Sequence, residues 1–136
     1  MDTHKVEIYI GYNFREPSLL AQALGPSCNK RLGFLGDAVI DLILLDGWYR
    51  TNKSCLCGTQ DLQYYGSNRI MASEAHQAHF EQVNGPGQFH HGQLSMHQLA
   101  TEVEAVIAAV WLDSDRNWDV TAGCYHRIKA ATKKKP

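Results

Sequence analysis

Apolar residues recur along most of the chain at the three- and four-residue spacing of amphipathic helices. The pattern is clearest in residues 17–24, 29–49 and 96–112. No stretch alternates apolar and polar positions as a half-buried β-strand does. The sequence therefore predicts an all-α fold.

Local signals set the bounds of the first predicted helices. Pro17 suits the first turn of a short helix that stops at Gly25-Pro26. The long apolar helix that follows is predicted to end near Trp48 and Tyr49. Residues 50–59 are polar and predict a loop.

The second half of the chain shows similar signals. Residues 60–80 predict two helical pieces that meet at Gly66, and residues 84–92 have the composition of a loop. Ser95 and Gln98 have the spacing of a capping box. Asn117 is predicted to cap a last helix that runs through Ile128.

The long helix carries residues that packing alone does not explain. Gly33, Asp37 and Asp41 share one stripe of the helical wheel, with Gly36 beside them. Each glycine costs a helix about 1 kcal/mol relative to alanine, and an unpaired buried carboxylate costs more. The opposite side predicts a core face made by Leu35, Val39, Leu42 and Ile43.

A later helix carries a matching stripe of small and polar side chains. It includes Thr101 and Glu104, followed by Ala105 and Ala108. Two helices with such facing stripes can approach closely, which would bring Asp37 near Glu104. Converging carboxylates repel unless a cation lies between them, so this arrangement would suit magnesium.

A structural role for Asp37 is the alternative. Its carboxylate could cap a neighbouring helix or pair with Arg31 or Arg69, since ion pairs also place carboxylates in cores. Spacing alone favours this alternative.

Four stretches in order resemble the ribonuclease III family. NKRLGFLGDAVIDLIL is similar to its signature helix, usually NERLEFLGDAVLDLV. IGYNFREPSLLAQAL, SNRIMASEAH and ATEVEAVIAAVWLDS resemble its opening helix, its middle segment and its second catalytic helix. The resemblance covers about residues 10–114. It implies a dimeric, all-α nuclease domain whose four carboxylates hold magnesium, which activates water to cut double-stranded RNA.

Only two of those four carboxylates are matched here. The resemblance assigns metal binding and catalysis to Asp37 and Glu104. The positions of the other two hold Gly33 and Thr101. A further acidic position of the signature holds Lys30.

The loss of charge predicts an impaired metal site. Asp41 is no replacement, because the ordinary family pattern already has an aspartate there. Glu102 points roughly 160° away from Glu104 on the helical wheel. At most one weakly held Mg²⁺ is expected, bound by Asp37, Glu104 and water.

The resemblance gives Phe34 a different role. In the family, the aromatic residue of this motif inserts into the partner subunit, so Phe34 is predicted to be a homodimer contact. A core phenylalanine is the alternative, which periodicity cannot exclude.

Charge and composition limit the possible partners. The 136 residues carry a net charge of −1, so RNA binding would depend on local cations. Candidates are Lys30, Arg31 and the tail lysines Lys133, Lys134 and Lys135, although such tails are more often simply solvated. The family's double-stranded-RNA-binding module has no counterpart in residues 1–136.

Length and termini predict one intracellular domain. Residues 1–136 are expected to form it, with a last helix at about 117–130 and a basic tail at 131–136. No secretory signal or membrane-spanning segment is expected. The four cysteines lack the spacing of a disulfide framework.

Two functions are compatible with these observations. The first is a ribonuclease III-like pseudoenzyme that acts by binding double-stranded RNA, a protein or a ribonucleoprotein assembly. The second is a magnesium-dependent double-stranded-RNA endonuclease with an altered site.

Overall fold

A computed structural model describes residues 3–78, 80 and 95–130. Seven helices are defined in this part of the chain, which contains no β-strand, as the sequence predicts. They are α1 (His4–Ile10), α2 (Pro17–Ala23), α3 (Lys30–Tyr49), α4 (Cys55–Tyr65), α5 (Asn68–Gln77), α6 (Met96–Asp113) and α7 (Trp118–Ala130). None of the seven is both long and apolar enough to cross a membrane.

Two predicted helix starts are confirmed by their hydrogen bonds. The Ser95 hydroxyl accepts from the backbone N–H of Gln98, whose side-chain oxygen accepts from the N–H of Ser95. The Asn117 side chain accepts from the N–H of Val120 at 3.0 Å and caps α7. Both caps satisfy first-turn donors that have no partner within the helix.

The structure corrects the predicted loop at residues 50–59. Helix α4 begins inside it at Cys55, because the Ser54 hydroxyl caps the helix by accepting from the N–H of Cys57. Gly58 allows the Trp48 ring to pack on this turn, since a Cβ there would lie 3.0 Å from the indole. The sequence pattern does not predict α1 as a separate element.

Helix α6 is the centre of the fold. Residues 105–110 are all buried, so the helix is enclosed on every side. Helices α3 and α5 provide its largest contacts, while α2 and α7 pack on the remaining surface. A helix that is apolar nearly all round is stable only in such a position.

The contact between α3 and α6 requires glycine. A Cβ at Gly36 would lie 1.7 Å from the backbone oxygen of Glu104, so the two backbones touch at this point. A Cβ at Gly33 would lie 2.9 Å from the Cγ2 of Thr101. Gly33 therefore lies against Thr101, and Gly36, three residues later, lies against Glu104, also three residues later. Because the contacts advance in the same direction along both chains, the two helices run parallel, with their N-termini at the same end.

The predicted core face of α3 is partly wrong. Val39 and Ile43 are buried, but Leu35 is half-buried and Leu42 is 57% exposed. The buried side instead includes Gly36 and Ile40, which face α6 because the glycine contact turns this stripe inward.

Asp113, at the end of α6, holds the chain that leads into α2. Its carboxylate accepts from the Tyr12 hydroxyl at 2.6 Å and from the N–H groups of Arg15 and Glu16. Burial opposes ionisation, but these three hydrogen bonds keep the pKa of Asp113 below its usual value.

The Gly36 contact gives the first testable prediction. Gly36→Ala should lower the free energy of unfolding by at least about 1–3 kcal/mol, because its methyl group would force the two helices apart. Gly47→Ala in the same helix is the matched control, since a Cβ added there would meet no atom within 4 Å. That control should be stabilised by about 0.5–1 kcal/mol. Urea unfolding measures both, and equal effects would contradict the close packing.

Candidate active site

Asp37 and Glu104 meet across the α3–α6 contact, as the facing stripes predict. They line a cleft of about 360 Å³ whose walls come from α3, α5 and α6. The two carboxyl groups are hydrogen-bonded to each other. The suggested structural role of Asp37 is not seen, because within residues 3–78 and 95–130 it caps no helix and pairs with neither Arg31 nor Arg69.

This contact changes the chemistry of Glu104. Burial, the hydrogen bond with Asp37 and the negative charges of Asp37 and Asp41 together raise the pKa of Glu104 to about 8. Near neutral pH, Glu104 is therefore largely protonated and donates to Asp37. The proton on Glu104 thus reduces the electrostatic repulsion between the two carboxylates.

Asp41 adds charge without completing a metal site. It lies one turn beyond Asp37, and burial followed by the charge of Asp37 raises its pKa. It lines a neighbouring groove along α3, of about 610 Å³, rather than the cleft itself. Among the described residues, no three His, Cys, Asp or Glu side chains are arranged to hold a metal ion.

Gly33 and Thr101, the two positions where the resemblance places carboxylates, face each other across the helix contact. The Cγ2 atom of Thr101 occupies the space beside Gly33. The Thr101 hydroxyl donates a hydrogen bond to the backbone oxygen of His97 at 2.9 Å. This hydrogen bond holds the threonine rotamer. A longer side chain at Gly33 therefore meets Thr101 first.

Cations border the same region. Lys30 lines the cleft, whereas Arg31 lies on the adjoining surface of α3. Both side chains are exposed. The predicted contacts Lys133, Lys134 and Lys135 lie outside the described residues.

Sequence reasoning missed two polar residues of the cleft. Asn68 and His97 both line it with Glu104. His97 is four residues before Thr101 and seven before Glu104, a spacing that places all three on one face of α6. That periodicity could have identified His97, whereas Asn68 comes from a separate helix and carries no local signal.

Phe34 is 86% exposed, so the core alternative is wrong. Leu42, two turns further along α3, is 57% exposed, and Ala38 between them is also exposed. These residues form an apolar stripe on the outer side of α3. Burial by a partner would remove this stripe from water.

Curated relatives are similar in sequence to most of this chain. Ribonuclease 3 from Xylella fastidiosa (strain M12) is 35% identical over 116 residues, covering 78% of this chain and 51% of the relative. Ribonuclease 3 from Carboxydothermus hydrogenoformans is 34% identical over 128 residues, covering 79% and 53%. The chain thus spans about half the length of the curated relatives it matches. No family model matches it.

Solved structures share the fold. A nuclease domain of ribonuclease III from Campylobacter jejuni superposes with a TM-score of 0.77 at 21% identity, covering 94% of this chain and 96% of that one. That structure shows flexibility in a region involved in dimer formation. A second structure of this nuclease domain gives a TM-score of 0.76 at 20% identity. Our chain is a ribonuclease III-like domain.

The ribonuclease III-like cleft offers little to a divalent cation. Asp37 and Glu104 supply two carboxylates, one of which takes up a proton, and Lys30 adds positive charge to the rim. Divalent cations such as Mg²⁺ need several oxygen ligands and compensating negative charge. The protein residues do not fit a pair of such ions.

The shared proton predicts a pH dependence of stability. Because the pKa of Glu104 rises from 4.5 in the unfolded chain to about 8, the folded state binds more protons between these values. The free energy of unfolding should therefore fall as pH rises through this window. We expect a loss of about 1–2 kcal/mol, less than the full shift would give because solvent enters the cleft.

Glu104→Gln should flatten this dependence, because glutamine stays neutral. Thermal unfolding between pH 5 and 9 measures the effect in metal-free buffer. The control Glu16→Gln, at an exposed site, should keep the slope of the natural protein. If the stability of Glu104→Gln depended on pH as steeply as that of the natural protein, Glu104 would not be the group that binds the extra proton.

Proposed function

We propose that this ribonuclease III-like domain is a homodimeric pseudoenzyme that binds double-stranded RNA without cutting it. The single observation that carries the proposal is the pairing of Gly33 with Thr101 beside a protonated Asp37–Glu104 pair. The family resemblance supports double-stranded RNA as the ligand, and the altered cleft supports the loss of cleavage.

The charge of the cleft supports the loss of activity. Two metal ions carry four positive charges, and Asp37 and Glu104 supply at most two negative ones. Lys30 on the rim increases this imbalance. We therefore expect magnesium to bind weakly or not at all, with Asp37 and Glu104 as its only protein ligands.

Other parts of the proposal extend the same reasoning. Residues 1–136 act as one domain inside the cell, and Lys30, Arg31 and the tail lysines 133–135 contact phosphate. If the purified dimer binds no RNA, the domain instead acts by binding a protein or a ribonucleoprotein assembly.

One observation favours an active nuclease as the second candidate. Asp37 and Glu104 are both retained and in contact, and the curated relatives at 34–35% identity are ribonucleases. In that function the two residues bind a single Mg²⁺ and cut double-stranded RNA slowly.

A cleavage assay decides between the two candidates. Long double-stranded RNA is incubated with Mg²⁺ or Mn²⁺ and the natural protein, Asp37→Asn, or the double variant Gly33→Glu with Thr101→Asp. We expect no cleavage by the natural protein and measurable cleavage by the double variant, which restores two carboxylates. The double variant also removes the Cγ2 that would block the new side chain at Gly33.

Two results separate the candidates further. Cleavage by the natural protein that Asp37→Asn abolishes would overturn the pseudoenzyme proposal. Gly33→Glu alone is the matched control, and it should remain inactive and lose stability by about 1–3 kcal/mol because of Thr101.

The dimer is tested through Phe34. Phe34→Ala should move the mass in solution from dimer towards monomer and weaken self-association at least tenfold, because an exposed aromatic ring at an interface centre contributes strongly. Light scattering during size-exclusion chromatography measures the mass. Ile8→Ala is the control, since Ile8 is 65% exposed on α1. A monomeric natural protein would contradict the proposal.

A further inference from the structure

A second cavity adjoins the cleft where α3 and α6 begin. It has a volume of about 150 Å³, and its walls include Pro26, Asn29 and Gln98. Lys30, His97 and Thr101 line both this cavity and the cleft. These three side chains therefore lie where the two cavities adjoin, and we call this region the opening.

The register of the two helices explains why these residues meet. Gly33 lies against Thr101 and Gly36 lies against Glu104, so α3 and α6 begin side by side. Lys30 is the first residue of α3, and His97 is the second residue of α6. One turn separates each from the Gly33–Thr101 contact.

This end of the opening has donors and positive charge. Lys30 carries an ammonium group, His97 offers a ring N–H, and both side chains are exposed to an incoming ligand. The Asn29 side chain donates to the backbone oxygen of Ala23 and does not cap α3. The first-turn N–H groups of α3 therefore add to the field that favours an anion.

The missing carboxylates make this end suitable for phosphate. A glutamate in place of Gly33 and an aspartate in place of Thr101 would put two negative charges directly beside Lys30. With glycine and threonine there, the acidic residues that line the cleft in the described part of the chain are Asp37 and Glu104, about one turn further along each helix. The negative charge is thus confined to the inner end of the cleft.

We propose that Lys30 and His97, with Thr101 between them, bind a phosphate group of the RNA backbone directly and without a metal ion. This inference rests on the proposed function and names the group that the altered cleft recognises. The positions that lost carboxylates have become part of an anion site.

The test is RNA binding in the presence of EDTA. Fluorescence anisotropy of a labelled double-stranded RNA gives the affinity of the natural protein, of Lys30→Glu and of His97→Ala. We expect binding by the natural protein, at least tenfold weaker binding by Lys30→Glu and a loss of three- to tenfold in His97→Ala. Circular dichroism checks that each variant is folded.

Matched controls come from exposed residues far from the opening. Lys53→Glu changes charge by the same amount beyond the opposite end of α3, and His4→Ala removes a histidine from α1. Both should bind RNA with less than a threefold change. If Lys53→Glu weakens binding as much as Lys30→Glu, net charge alone governs affinity and the site is refuted.

A titration with inorganic phosphate separates this inference from the proposed function. In metal-free protein, phosphate should shift the NMR signals of the His97 ring and leave those of His4 unchanged. No shift at His97, or RNA binding that Lys30→Glu leaves intact, overturns the phosphate site while the RNA-binding function stands. If the natural protein binds no RNA but phosphate shifts His97, the site is supported and the proposed function fails.

Discussion

The backbone contact between Gly36 and Glu104 is the constraint on which the rest of this structure depends. It allows α3 and α6 to run parallel at a separation that any side chain would prevent. The buried stripe of α3, the position of the cleft and the adjacency of the two helix N-termini all follow from it. The same contact turns Leu42 outward, although its place in the apolar pattern suits a core position. One residue without a side chain therefore sets both the inner and the outer surface of the long helix.

That contact also creates an electrostatic problem. It brings Asp37 against Glu104, with Asp41 close enough to add its charge, and Glu104 is half-buried, where an ionised carboxylate is poorly solvated. A divalent cation is one solution and a proton is another. With four carboxylates the cation is strongly favoured, because a proton can neutralise only one of them. With two carboxylates, one proton leaves a single negative charge shared through a hydrogen bond. The altered cleft is thus stable without metal, at the expense of the negative charge that a metal site requires.

Much of this arrangement could be predicted from the sequence. The capping box at Ser95 and the cap at Asn117 follow from local hydrogen-bonding patterns, and the meeting of Asp37 with Glu104 follows from facing stripes of small residues. Tertiary packing explains the failures. Helix α4 begins within a polar stretch at the Ser54 cap, and the packing of Trp48 on Gly58 in its first turns is a tertiary contact that no local pattern indicates. His97 could have been found from helical periodicity, but its proximity to Lys30 depends on the register of two helices far apart in the chain.

The two missing carboxylates are coupled by that register. Thr101 fills the space beside Gly33, and its hydroxyl bond to the backbone of His97 fixes the methyl group there. A glutamate introduced at Gly33 would meet this methyl group, and an aspartate introduced at Thr101 would lie beside Lys30 without a carboxylate at Gly33 opposite it. Each single restoration therefore costs stability or adds charge without completing a metal site. Because only the joint change restores the ligand set, the pair is held in its altered form by packing and electrostatics together. The Phe34 ring borders the same cleft but is exposed and takes no part in the Gly33–Thr101 contact, so the surface proposed for dimerisation does not depend on which residues occupy positions 33 and 101.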